Sequence, residues 1–240
     1  MLLMEPARKL QADSVRPETP REPALMAALG QLLRGLSALF WGLPIVLVTA
    51  VQAAKAELPR SLHLWAVLAA FGLILYGVHL MSCFQPQERV WQFAVDRVRI
   101  ASLINLGLSP FVVWWSRFPG EFAFQVMVDC LVIGFLFFLI EMNPFLDRLV
   151  AMLPDEAMRQ ETRFFTRINR MILVPIFGIA AFYFLILRLE PSFPVISPWF
   201  AFLSEGGLWG VLFLLLLPIA MTMALVWKIK ETIFHSVFGR

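Results

Sequence analysis

The chain has 240 residues, of which 60% are hydrophobic and 15% charged, and its mean hydropathy is +0.76. A water-soluble fold of this length has too little interior for so much apolar surface, so an ordinary soluble domain is excluded and lipid is the expected solvent. The net charge of +3 is no sign of nucleic-acid binding, because the basic residues lie between apolar runs rather than on one folded face with stacking aromatics.

Residues 1–23 are polar and broken by Pro6, Pro17, Pro20 and Pro23, which predicts a flexible cytoplasmic tail. The opening MLLMEPARKL has no apolar stretch ending in a small-residue cleavage site, so insertion is expected to begin at the first long apolar helix. From Ala24 onward Leu25, Leu29, Leu32 and Leu36 recur at helical spacing, predicting an interfacial helix that leads into the first span.

A hydrocarbon core of roughly 30 Å needs about 20 apolar residues per crossing helix. Runs that meet or approach this cover 35–54, 62–83, 100–116, 122–140, 171–187 and 207–227. The third is the shortest and carries Asn105, Ser109 and Pro110. The expected fold is an all-α, polytopic membrane helix bundle of about six transmembrane helices with amphipathic cytoplasmic helices, residues 24–240 forming a single membrane domain. Trp41 lies deep in its run and is expected between helices. Cys83 and Cys130, each inside a run, are expected as buried thiols. Two cysteines are too few for a disulfide framework or a four-cysteine metal site.

Between the fourth and fifth runs, the chain is expected to leave the membrane at Glu141-Met142-Asn143-Pro144 and to form a cytoplasmic amphipathic segment over 144–170. Leu153-Pro154-Asp155-Glu156 reads as a helix start, with acidic side chains where the helix dipole is positive. Arg159, Arg163 and Arg167 follow at i, i+4 and i+8, with Arg170 one turn further. They form a stripe for lipid headgroups or an acidic partner, with Ala157, Phe164, Ile168 and Met171 on another face. The outer segment 188–206, with Pro191, Pro194 and Pro198, is expected to lie flat on the membrane or to turn back into a cavity. Residues 227–240 carry Ile229, Ile233, Val237 and Phe238 on one side, a second amphipathic element.

Counting Lys and Arg on alternate sides sets the direction. One side collects Arg8, Lys9, Arg16, Arg21, Arg34, Arg89, Arg97, Arg99, Arg148, Arg159, Arg163, Arg167, Arg170, Lys228, Lys230 and Arg240. The other has Lys55, Arg60, Arg117 and Arg188, a split of 16 to 4. The expectation is an inner-membrane, multi-pass protein with both termini cytoplasmic.

Catalytic apparatus is not apparent in the sequence. His63, His79 and His235 lie apart with no H-E-x-x-H, and there is no G-x-S-x-G elbow, Walker A loop or G-x-G-x-x-G. No cofactor or metal is predicted, although a single axial contact from His79 to haem or chlorophyll stays open. The best candidate constellation is intramembrane. Glu121, Gln125 and Asp129 recur every four residues, so they share a helix face, with Asp129 about 12 Å deep. Asn105 at about 18 Å, Tyr76 at about 21 Å and His79 at about 25 Å extend a polar ladder if the second to fourth spans pack together. An ionisable group at such depth costs a few kcal/mol and faces the bundle or water, either as interhelical glue or on a proton or solute path.

Three functions follow as expectations. The first is a non-enzymatic subunit or scaffold of a larger membrane complex, its partners the bilayer and other membrane subunits or a second copy, with no nucleic acid. The alternative is a small proton-coupled transporter or channel using Asp129. A lipid-modifying enzyme comes third, with no acid–base pair visibly placed for it.

Overall fold

The computed structural model describes residues 21–55, 62–85, 87–153, 155–189 and 208–238. Among these residues there is helix and no strand: α1 (Arg21–Ala54), α2 (His63–Ser82), α3 (Arg89–Leu108), α4 (Pro110–Arg117), α5 (Phe122–Ala151), α6 (Glu156–Leu189) and α7 (Leu208–Phe238). Five stretches are long and apolar enough to cross a bilayer, α3 and α4 counting together as Arg89–Arg117. The 31-residue α7 is a sixth candidate, without a charged residue from Leu208 to Trp227. The chain therefore forms the expected helical membrane bundle, in which each helix satisfies its own backbone polar groups away from water.

Prolines sit inside α1 (Pro44), α5 (Pro144), α6 (Pro175) and α7 (Pro218). Each removes one N–H and strips the carbonyl four residues earlier of its donor. In α5 the preceding side chain closes that gap: Asn143 Nδ2 donates to the Leu139 carbonyl at 2.9 Å and reaches the Ile140 carbonyl, freed by Pro144, at 3.5 Å. At the α3/α4 junction Ser109 Oγ donates at 2.8 Å to the Leu106 carbonyl that Pro110 frees. Ser109 itself keeps helical angles, so the third span is one nearly continuous rod.

Successive spans run antiparallel in a register that side-chain contacts fix. Gly35 and Gly77 bring α1 and α2 together so closely that a Cβ on Gly35 would stand 2.6 Å from Met81 Cγ and 2.8 Å from the Gly77 carbonyl oxygen. Trp91 fastens the α2/α3 turn: its Nε1 donates to the Phe84 carbonyl at 2.8 Å, and its ring stacks on Phe145 of α5 at 5.0 Å. Asn105 of α3 donates to the Gly134 carbonyl of α5 at 3.0 Å. A Cβ at Gly134 would come within 2.9 Å of the Asn105 Oδ1, so the glycine makes the seat for the amide. Lys228 of α7 pairs with Glu161 of α6, and Phe40 of α1 meets Trp227 of α7 at 5.3 Å. These pairings gather the N-terminal parts of α1, α3 and α6 with the C-terminal parts of α2, α5 and α7. Most of the basic residues in the described segments thus lie at one end.

Several expectations change. At Glu141-Met142-Asn143-Pro144, the expected point of exit from the membrane, α5 continues unbroken to Ala151, with Glu141 and Asn143 buried against neighbouring helices. The amphipathic segment 144–170 is correspondingly not one element; it is divided between the end of α5 and the first turns of α6. The interfacial helix and first span are likewise one 34-residue helix. Trp41 points outward, 60% exposed, because it is Leu39 and Leu43 on either side that fill the interior. Cys83 caps α2 with its thiol exposed, and Cys130 is half-buried. The 188–206 expectation falls, beyond Leu189, outside the described residues.

Candidate functional site

The helix start expected at 153–156 is present. Asp155 Oδ1 accepts the Met158 N–H at 3.2 Å, an N-cap that satisfies one of the free donors of the first turn. Arg159 turns back from that turn: it pairs with Glu156 at 3.1 Å and donates to the Ala151 and Leu153 carbonyls at 3.3 and 3.0 Å. It neutralises the carboxyl end of α5 and so leaves the expected stripe. Arg163, Arg167 and Arg170 remain on it, exposed, without an ion pair among the described residues.

These three arginines border a cleft of about 660 Å³ between α5 and α6. Thr166 lies between them, and Asn143 and Asp147 stand across on α5. Behind the cleft is a buried polar node. Asn169 Nδ2 of α6 donates both to Asn143 Oδ1 of α5 at 3.0 Å and to Thr222 Oγ1 of α7 at 3.1 Å. Thr222 in turn donates to the Pro218 carbonyl at 2.8 Å, and Thr166 to the Thr162 carbonyl at 2.9 Å. The amide orientations are mutually fixed: Asn143 must aim its NH₂ at Leu139, which leaves its oxygen for Asn169.

The inward face of α6 is therefore Met158, Thr162, Thr166, Asn169 and Leu173. The apolar face read from the sequence, that of Ala157, Phe164, Ile168 and Met171, is mostly outside, with Phe164 62% and Met171 70% exposed. Beside the node, Arg97 of α3 binds Glu141 of α5 at 2.6 Å, the carboxylate side chain 7% and the arginine 49% exposed. Sequence reasoning used Glu141 and Asn143 only as the expected exit from the membrane and assigned no role to Asn169 or Thr222. The available signal was a polar residue beside a proline in an apolar run, as at Asn143-Pro144.

The predicted ladder is only partly assembled. Gln125 Nε2 donates to Asp129 Oδ1 at 3.1 Å, and Tyr183 of α6 lies within electrostatic reach of Asp129. Glu121 is exposed at the start of α5. Asn105 is buried, but its amide ties Ala101 and Gly134 rather than Asp129. Tyr76 is 54% exposed, and His79 is exposed beside Arg99 in a small surface recess. The residues of α2, α3 and α5 thus do not converge on one path. Among the described residues no group of three or more His, Cys, Asp or Glu is placed to hold a metal ion. Comparison of the chain with protein-family models, curated proteins and solved structures found no significant match.

Proposed function

We propose that this chain is a non-enzymatic, multi-pass inner-membrane protein, a subunit or scaffold of a larger membrane complex, with its basic end and both termini in the cytoplasm. The orientation rests on the 16 to 4 charge split. The subunit reading rests on one observation: the charged turns at the basic end display exposed aromatics beside cations. Phe93 lies 5.7 Å from the Arg97 guanidinium, Trp227 lies 5.3 Å from the Lys230 ammonium, and Phe164 and Phe234 are exposed on the charged turns of α6 and α7. Aromatic and arginine side chains together are the composition of interface hot spots, where burial of the ring and desolvation of the cation act jointly.

Purification from native membranes in mild detergent tests this reading. A hetero-complex of fixed stoichiometry that is lost when Phe93, Phe164 and Phe234 are changed to Ala supports it. A lone chain or homo-oligomer that catalyses uptake in liposomes overturns it. A small proton-coupled transporter or channel is the second reading, favoured by the Gln125–Asp129 hydrogen bond and the nearby Tyr183. Asp129→Asn removes titration with little change of shape, so it abolishes uptake in that case and is nearly neutral for a scaffold.

A further inference from the structure

The cleft between α5 and α6 has a lining sorted by depth. Toward the basic end its walls are Arg163, Arg167 and Arg170, with Thr166 and, on α5, Asp147. Further along, past Pro144 and Asn143 on α5, it is apolar, formed by Met171, Val174 and Pro175 on α6. From Arg163 to Pro175 the lining extends about 18 Å along the helix axis, from the charged turns into the span.

Charge recognition rests on the three arginines. Asn143 already donates to the Leu139 carbonyl and Thr166 to the Thr162 carbonyl. The other arginine of this turn, Arg159, is paired, as are Arg97 and Lys228. Arg163, Arg167 and Arg170 have no such partner among the described residues, and against Asp147 they leave the cleft with a formal charge of about +2. Guanidinium forks match the oxygens of a phosphate in paired hydrogen bonds. A free phosphate would occupy only a small part of about 660 Å³ and would gain nothing from the apolar half. An acidic peptide would leave unpaired backbone in that half, at a depth where water does not replace the lost hydrogen bonds.

We propose that this cleft binds an anionic phospholipid, its phosphate on Arg163, Arg167 and Arg170 and its acyl chain along Met171, Val174 and Pro175. Asp147 accepts from a hydroxyl group of the same headgroup. The site does not depend on whether the protein has partner subunits.

The test uses the full chain, delipidated in mild detergent and titrated with phosphatidylglycerol, phosphatidylcholine or inorganic phosphate. Melting temperature and native mass spectrometry report binding. Phosphatidylglycerol is expected to raise the melting temperature and to remain as one lipid per chain, while the other two probes do neither. R163Q/R167Q/R170Q is expected to weaken phosphatidylglycerol about a hundredfold, roughly fivefold per charge. R34Q/R89Q/R148Q removes the same charge from the same end outside the cleft and is expected to leave binding intact. M171S/V174S is expected to weaken it without changing formal charge. If the cleft triple melts lower without lipid, Arg167→Gln alone, with an expected fivefold loss, carries the test. An equal response to inorganic phosphate, equal retention of phosphatidylcholine, or an equal loss in the control triple would overturn the proposal.

Discussion

Replacing Asn143 by Leu should destabilise the protein more than any other single change at the α5/α6/α7 node. Two contributions add. The first is the hydrogen bond from Asn169 Nδ2 to Asn143 Oδ1, 3.0 Å long and fully buried. Interhelical bonds of this kind inside membranes average about 0.6 kcal/mol and reach about 1.7. The second is the backbone that Asn143 repairs beside Pro144, where loss of the amide leaves the Leu139 and Ile140 carbonyls with weaker or no side-chain donation. An unsatisfied buried acceptor costs roughly 1–3 kcal/mol, and the lower part of that range applies because the Leu139 carbonyl keeps its helical N–H. The sum is about 1–3 kcal/mol.

Asn169→Leu removes two interhelical bonds but also removes Asn169 Oδ1, a buried oxygen with no partner. Its net cost should therefore be lower, about 1 kcal/mol or less. Thr222→Val should cost least, because Asn169 keeps its bond to Asn143. Reversible unfolding in mixed SDS and detergent micelles, with the Asn143/Asn169 double-mutant cycle, measures all three together with their coupling. If Asn143→Leu is neutral, or if Asn169→Leu costs more, the repair argument is wrong.

Gly35→Ala should lower stability by about 1–3 kcal/mol in the same assay, since its Cβ meets both Met81 and the Gly77 backbone and the backbone cannot swing away. Arg97→Gln should be worse than Glu141→Gln, because it leaves a buried carboxylate without its cation. The half-exposed guanidinium discounts the effect to roughly 1–2 kcal/mol, which the same unfolding curves would resolve. A cysteine placed at Gln160, in a background lacking Cys83 and Cys130, should resist a membrane-impermeant thiol reagent in intact cells; ready labelling from outside would reverse the proposed orientation.

The bundle was legible in the sequence because lipid imposes one coarse requirement, a run of about 20 apolar residues. The runs 35–54, 122–140 and 171–187 fall inside observed helices, 62–83 and 207–227 do so to within a residue, and 100–116 is divided between α3 and α4 at Ser109. Helix ends were less legible. Hydropathy falls at Glu141, yet the helix continues because Arg97 supplies the counter-charge from α3 and Asn143 repairs the backbone at Pro144. Both compensations depend on residues that sequence spacing alone cannot bring together. The start of α6 was readable to within a residue, since an N-cap is a local device carried by Asp155 itself.

The arginine stripe shows where local reading stops. Spacing alone makes Arg159, Arg163 and Arg167 equivalent, but Arg159 is the residue close enough to the end of α5 to meet its unsatisfied carbonyls. It is thereby removed from recognition, and the cationic surface shifts one turn toward the membrane, to Arg170 and the apolar lining beyond it. The faces of α6 follow from the same inversion of solvent. In lipid an outward Met171 loses nothing, whereas an outward Asn169 would lack a hydrogen-bond partner. Asn169 therefore turns inward and binds Asn143 and Thr222, and the apolar face that an aqueous reading would bury is the one displayed. That inversion also explains why the cleft is amphiphilic: its floor is the polar node that holds three helices together, and its open side carries the residues that lipid tolerates.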